Sequence, residues 1–312
     1  MDFRLSIPAI KSEFSISHSD KLLILGSCFT ENIGQLLGNA GFQTVINPFG
    51  IIYNPISIFR NLNILHQHKK FAERDLSRRG EFFFSFDHHG SFSDIDKAQC
   101  LQNINSQIEK AAPFFKESTI LLVTLGTAFV YEHIESGRIV SNCHKIPAAA
   151  FKKRLLTKEE IVNEFAAVKD LVPPSAKIIF TLSPVRHWKD GAVENAHSKA
   201  IVLTAIHEII RNTKNCFYFP AYELMMDDLR DYRFYANDML HPNALAIEYI
   251  WERFKETYFS AETEQVTGEL ENLRLAMEHR PLFVNSEAYK KFEAGLEAKK
   301  ESFRKKYPFI HL

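Results

Sequence analysis

Four short apolar runs, each ending at a turn, alternate with longer segments of helical spacing, and this restricts the chain to few architectures. Residues 22–25 (LLIL), 119–125 (TILLVTL), 177–182 (KIIFTL) and 216–219 (CFYF) lack the polar alternation of a half-exposed strand. They read as strands covered on both faces, and residues 43–46 (QTVI) form a shorter run of the same kind. Segments 104–112, 156–171, 192–210 and 244–254 carry apolar residues three or four apart, which predicts helices. Thr157 with Glu160 makes a capping-box pattern at the start of the second segment, and Pro173-Pro174 stops it. Strands alternating with helices predict an α/β fold with a mainly parallel, doubly wound sheet.

Composition narrows the function classes. With 312 residues, 46% hydrophobic and 24% charged, the chain has the apolar material for a full-sized core in one or two domains. We expect residues 1–260 to form the α/β domain, with an inserted hairpin or loop near 80–95. Residues 261–312 are expected to form a helical extension packed on it, because 262–278 and 286–306 are charge-rich and amphipathic. Lys+Arg and Asp+Glu are both 38, so the basic footprint of a nucleic-acid binder is missing. No apolar run approaches a bilayer span, and the first residues lack a signal-type apolar region, so a cytoplasmic protein with no membrane partner is expected. The four cysteines, at 28, 100, 143 and 216, form no CxxC pair, which argues against a thiolate zinc site or a disulfide framework. His88-His89 would point to opposite faces of a strand and so not share an ion. Neither metal nor cofactor is expected.

In a doubly wound sheet, ligands gather where the strands end, so the polar residues just after each run are where chemistry belongs. Those segments are Gly26-Ser27-Cys28, Asn47-Pro48-Phe49-Gly50, Gly126-Thr127, Ser183 to His187, and Asn237 to Asn243. A serine hydroxyl becomes a nucleophile when an imidazole takes its proton and a carboxylate fixes that imidazole. Asp238-Met239-Leu240-His241 offers both partners at an offset that lets Asp238 reach Nδ1, provided the segment curls ahead of a helix beginning at Pro242. A helix start there would disfavour imidazolium and leave His241 neutral as a base.

The order of these elements resembles the SGNH (GDSL-like) hydrolase superfamily. The wording GSCF, NPFGIIYNP, TLGTAFVYE, NCHKIP, TLSPVRHW and DMLHPN is similar to the GSCFA family within it, over roughly residues 20–280. The resemblance implies a flavodoxin-like three-layer α/β/α sandwich with Ser27 as nucleophile and Asp238 and His241 as its partners. It also implies an oxyanion hole made of the Ser27 amide, a glycine matching Gly50, and an asparagine after the third strand. Gly126 is followed by Thr127 and Ala128, so no asparagine stands where a Gly-x-Asn pattern would place it, and either the Thr127 hydroxyl or the side chain of Asn142 is the third donor, with Asn47 a weaker choice.

Cys28 is the rival nucleophile, since a helix N-terminus lowers a thiol pKa. Ser27 is preferred, because the residue after the glycine faces the site in the family pattern. Arg186 and His187 follow the fourth strand, where a guanidinium can hold a substrate carboxylate or phosphate; a surface ion pair and a packed imidazole are the equal alternative. His144 and Lys145 are candidates to line the site through the NCHK motif alone. Tyr53 and the phenylalanines at 82–86 read as core. The expected function is hydrolysis of an oxygen ester, an acyl or acetyl group on a sugar or other small polar metabolite, through an acyl-serine. Acyl transfer through the same intermediate and a catalytically weak binding module are the alternatives.

Overall fold

The computed structural model describes residues 5–278, 283 and 286–310. In chain order the elements begin with β1 (Lys21–Gly26), α1 (Cys28–Asn39), β2 (Gln43–Ile46), α2 (Pro55–His66), β3 (Ser77–Arg79), β4 (Phe82–Phe84) and α3 (Lys97–Glu117). They continue with β5 (Ile120–Leu125), β6 (Phe129–His133), β7 (Arg138–Ile139), β8 (Phe151–Leu155), α4 (Lys158–Val168), β9 (Lys177–Leu182), α5 (Gly191–Asn212) and β10 (Cys216–Tyr218). The last are the short α6 (Ala221–Glu223), then α7 (Ala244–Tyr258), α8 (Ala261–Glu278) and α9 (Glu287–Lys306).

The five expected runs form one five-stranded sheet in the order β10-β9-β5-β1-β2, with every pairing parallel. Alternate strand residues enter two cores. Leu23, Leu25, Leu121, Val123, Phe180 and Leu182 pack with α2, α3, α4 and α5 on one face. Leu22, Ile24, Ile120, Leu122 and Ile179 pack with α1 and α7 on the other. This is the expected three-layer α/β/α sandwich. Its strand order reverses between β1 and β5, the crevice where such sheets bind ligands.

The four expected helices form with shifted bounds, and α2 was not among those expected. α3 begins at Lys97 rather than at 104 and continues through Pro113 to Glu117. The helix expected over 156–171 follows directly on β8 and is α-helical only from Lys158 to Val168, with a 3₁₀ turn over 169–171. The capping box forms as expected: Glu160 N donates to Thr157 Oγ1 at 3.1 Å and Thr157 N to Glu160 Oε2 at 2.8 Å.

Between β5 and α4 the chain builds a three-stranded antiparallel sheet, β7-β6-β8, that the sequence reading did not anticipate. The hairpin near 80 is β3–β4, so its turn lies at Gly80-Glu81 and only its second strand falls within the FFF run. His88 and His89 follow it in a turn rather than a strand: His88 N donates to Ser85 O and His89 N to Phe49 O. The His88 ring is fully buried beside Phe49, Phe71 and Phe92. Phe84 is core as expected, but Phe82 is exposed.

α8 and α9 share a small core of Val266, Leu270, Leu273, Phe303, Tyr307 and Ile310. α8 also meets the α/β unit, where Thr263 Oγ1 donates to Ile16 O at 3.0 Å and Arg274 Nη1 to Asn39 Oδ1 at 3.1 Å. Among the described residues no helix is long and apolar enough to cross a membrane.

Candidate active site

Ser27 owes its position to the way β1 ends. Gly26 has φ +140°, and a Cβ there would lie 2.2 Å from Thr124 O, so only glycine lets β1 and β5 meet at this point. The Gly26 amide, leaving the sheet, donates to Asn47 Oδ1 at 2.8 Å, and Ile52 N donates to Gly26 O at 3.0 Å. Ser27 then sits at the N-cap of α1, but its hydroxyl does not cap the helix. It donates instead to Ser183 Oγ at 3.1 Å, and Ser27 is fully buried.

Ser183, just past β9, is itself tied down. Val185 N donates weakly to its Oγ at 3.4 Å, and Lys199 Nζ, from α5, donates to its carbonyl at 2.6 Å. Lys199 is buried, and that burial lowers its pKa to about 7. Neither residue was singled out from the sequence. The signal for Lys199 was present: Asn195, Ser198 and Lys199 occupy the stripe that Val202, Ile206 and Ile209 continue as the buried face of α5. Polar residues on an apolar stripe mark a polar interior.

The other half of the site is a tight loop. Tyr235 bridges Pro242, Ala236 N donates to His241 O at 2.7 Å, and Met239 N donates to Ala236 O at 2.9 Å. At its tip Asp238 Oδ1 accepts from Leu240 N at 2.9 Å and His241 N at 3.0 Å. Asp238 Oδ2 lies 2.6 Å from His241 Nδ1. The His241 amide, then the Leu240 amide and the His241 ring, lower the Asp238 pKa to about 2. Pro242 does not start the helix. Asn243 is the N-cap, its Oδ1 accepting from Ala246 N at 3.0 Å, so Pro242 lies outside the helix, in the backbone bridge to Tyr235.

His241 opens on a pocket of about 440 Å³ that is also lined by Tyr53, Thr127, Tyr131, Asn142, His187 and Trp188. Tyr53, expected in the core, is thus a pocket wall, and its carbonyl accepts from Gly126 N and Thr127 N. His187 stands edge-on to the Tyr53 ring, with centroids 5.2 Å apart. Burial lowers the His187 pKa to about 4, so its imidazole is neutral at pH 7, and its Nε2 has no hydrogen-bond partner among the described residues. Asn142 Oδ1 accepts from His144 N at 2.7 Å, which fixes the side chain, while its amide nitrogen donates to nothing among the described residues. Thr127 Oγ1 accepts from Phe129 N at 3.0 Å and pairs with Ser198 Oγ at 2.9 Å.

The lining of this pocket includes neither Ser27 nor Asp238, and Gly50, Asn47, His144 and Cys28 also lie outside it. The Gly50 amide closes the 47–50 turn by donating to Asn47 O at 2.7 Å, so it is not a free donor as expected. Gly50 is glycine for a different reason: at φ +76° a Cβ would lie 2.4 Å from His89 Cβ. Asn47 is a brace, accepting from Gly26 N and reaching Glu31 Oε1 at 3.4 Å. His144 stacks on Phe84 with Nε2 against Ser85 O at 2.9 Å, so it supports Asn142 from behind rather than lining the pocket. Arg186 does border the pocket, but its Nη2 donates to Met239 O at 2.6 Å. Cys28 packs against the apolar core beside α1, and burial raises its pKa, outweighing the lowering expected from the helix N-terminus. Among the described residues no group of His, Cys, Asp and Glu is gathered to hold a metal ion.

Comparison with known proteins gives a family. Residues 21–254 match the GSCFA family, and residues 270–312 match the GSCFA domain protein, C-terminal domain. No curated protein matches the chain. Among solved structures, similarity is found to a carbohydrate esterase family 3 protein from Talaromyces cellulolyticus, at 9% identity and a TM-score of 0.37, covering 81% of this chain and 99% of that one. A family 3 carbohydrate esterase from Clostridium thermocellum is similar at 10% identity and a TM-score of 0.33, over 80% of this chain and 98% of that one.

Proposed function

The chain belongs to the GSCFA family, and on that premise we propose that it is an SGNH-type serine hydrolase acting on an oxygen ester of a sugar or other small polar metabolite. The observation that carries this reading is the 2.6 Å contact between His241 Nδ1 and Asp238 Oδ2 at the mouth of a pocket. An imidazole held this way keeps its proton on Nδ1 and presents Nε2 as a base. A volume of about 440 Å³ suits a small ligand, and the mix of Tyr53, Phe129, Tyr131 and Trp188 with Asn54, Ser141 and Asn142 suits one that is polar with apolar faces.

In the proposed reaction Ser27 Oγ forms a bond to the acyl carbonyl carbon while its proton passes to His241 Nε2. The imidazolium, stabilised by Asp238, then gives that proton to the departing alcohol oxygen as the ester bond breaks. Water repeats the sequence on the acyl-serine, returning the acid and free Ser27. Ser27 must first turn its hydroxyl from Ser183 toward His241. The Ser27 amide, which has no acceptor among the described residues, and the unengaged amide of Asn142 are the two oxyanion donors in this scheme. Thr127 is the lesser choice because its hydroxyl already has two partners. An acyl acceptor other than water turns the same steps into transfer.

One observation favours a second reading, a binding module without turnover: Ser27 is fully buried and bonded to Ser183 rather than to His241. Hydrolysis of p-nitrophenyl acetate separates the two. The enzyme reading expects turnover that vanishes in Ser27→Ala, and the module reading expects none beyond background in the intact protein.

A further inference from the structure

Arg186 was expected either to hold a substrate anion or to sit in a surface ion pair; among the described residues it makes no ion pair, and it borders the pocket with its Nε unpartnered. Its Nη2 donates to Met239 O at 2.6 Å, and its backbone N donates to Leu240 O at 3.3 Å. The guanidinium carbon lies 4.4 Å from the ring centroid of Tyr235, 5.2 Å from that of Trp188 and 5.3 Å from that of Tyr232. A planar cation stacked on aromatic rings and bonded to a carbonyl is held at a fixed place and angle.

Those two carbonyls belong to a particular pair of peptide units. Met239 O shares its peptide plane with Leu240 N, and Leu240 O shares the next with His241 N. In a trans peptide the C=O and N–H point in opposite directions, so a carbonyl drawn toward Arg186 turns the attached N–H away from it. Both N–H groups donate to the same atom, Asp238 Oδ1, at 2.9 and 3.0 Å, which leaves Oδ2 for His241 Nδ1. Met239 has φ +60°, a conformation that a residue with a Cβ keeps only when its surroundings impose it. The bond from Arg186 to Met239 O, with the loop's own bonds from Met239 N and to Asp238, holds it there.

We infer that Arg186 is the positioning residue of the Asp238–His241 pair: its side chain holds Met239 O and its backbone amide holds Leu240 O, which aims two amides at Asp238 and so sets the carboxylate on the imidazole. The role of that pair in catalysis rests on the function proposed above, but the geometry of the clamp does not.

The test uses a small, uncharged fluorophosphonate, which offers Arg186 no carboxylate or phosphate dianion to bind. In Arg186→Met, with folding checked by thermal unfolding, the labelling rate at Ser27 should fall about 10²-fold, the scale of a misplaced catalytic group. Arg186→Lys, which can still reach Met239 O but not stack as a plane, should fall between Met and wild type, and serves if the Met variant does not fold. With p-nitrophenyl acetate the loss should appear in kcat with KM unchanged. Independently of any activity, the His241 Nδ1 proton resonance should move or broaden in both variants. An unchanged labelling rate, or an effect confined to KM for anionic esters, overturns the inference, as does an unmoved Nδ1 resonance. Wild-type protein that labels nowhere sinks the proposed function instead, and leaves the resonance as the test of Arg186.

Discussion

Ser27 lies where a buried strand meets a helix, with Gly26 before it held by Asn47 and Ile52, whereas Asp238 and His241 lie half-exposed on a loop that makes most of its own hydrogen bonds. The first region is rigid because the parallel sheet leaves it no alternative. The second is held by local contacts, with Arg186 as its link to the rest of the fold. The proposed chemistry joins a nucleophile held by long-range packing to a base held by a short loop. Damage to the first should therefore abolish reactivity, and damage to the second should degrade its geometry.

The largest effect is expected from Ser27→Ala. Losing the nucleophile should lower p-nitrophenyl acetate turnover by about 10⁶-fold, as in serine enzymes of this logic, while the thermal midpoint stays near wild type. If Cys28→Ala silences the protein and Ser27→Ala does not, the nucleophile has been misassigned. Asp238→Asn should follow, at about 10⁴-fold in kcat, because an amide stabilises the wrong imidazole tautomer. A loss below about tenfold would mean that the loop backbone alone orients His241.

The sign of the Asp238 pKa shift adds a pH test. A depressed carboxylate contributes above its unfolded value and loses that contribution as pH falls through its folded value, here about 2. Activity lost on mild acidification should thus persist with the same midpoint in any variant that leaves the two amide bonds to Asp238 in place. A midpoint that follows Asp238 substitutions would place the titration on the carboxylate.

Smaller again is the oxyanion donor. Asn142→Ala should lower kcat about 10²- to 10³-fold with KM nearly unchanged, the mark of an interaction made in the transition state. Thr127→Val should do little beyond removing the contacts to Ser198 and Phe129. An exchange of these phenotypes would make Thr127 the donor.

The smallest effect concerns the interior behind Ser27. Lys199 titrates at about 7 when folded, against an ordinary 10.5, so the unfolded chain binds more protons between those values. Wild-type stability gains from this residue as pH climbs through that window. Lys199→Met should therefore stabilise the protein most below pH 7, with an advantage that shrinks by pH 9 in chemical unfolding curves. An advantage equal at both pH values would show that the buried amine stays charged through a partner.

Much of the first region was legible in the sequence, because strands buried on both faces are unbroken apolar runs and a glycine at their end is forced by backbone approach. The Asp-x-x-His spacing was legible too, since three residues bring the carboxylate back to the ring. The antiparallel sheet of β6, β7 and β8 was not, for its strands are short and β8 (FKKRL) is mostly polar. Gly50 shows the limit of positional matching: the glycine is there, but φ and His89 account for it, and its amide is closed into a turn. The roles of Ser183 and Arg186 depend on contacts across 156 and 53 positions, which no local pattern carries.

The central claim is that Ser27, activated by the Asp238–His241 pair, is the nucleophile, and covalent labelling with a fluorophosphonate followed by peptide mapping tests it most directly. The account predicts a single adduct on Ser27, formed in the intact protein and lost in His241→Ala. An adduct on Cys28, or none on a protein that is fully folded, would contradict it.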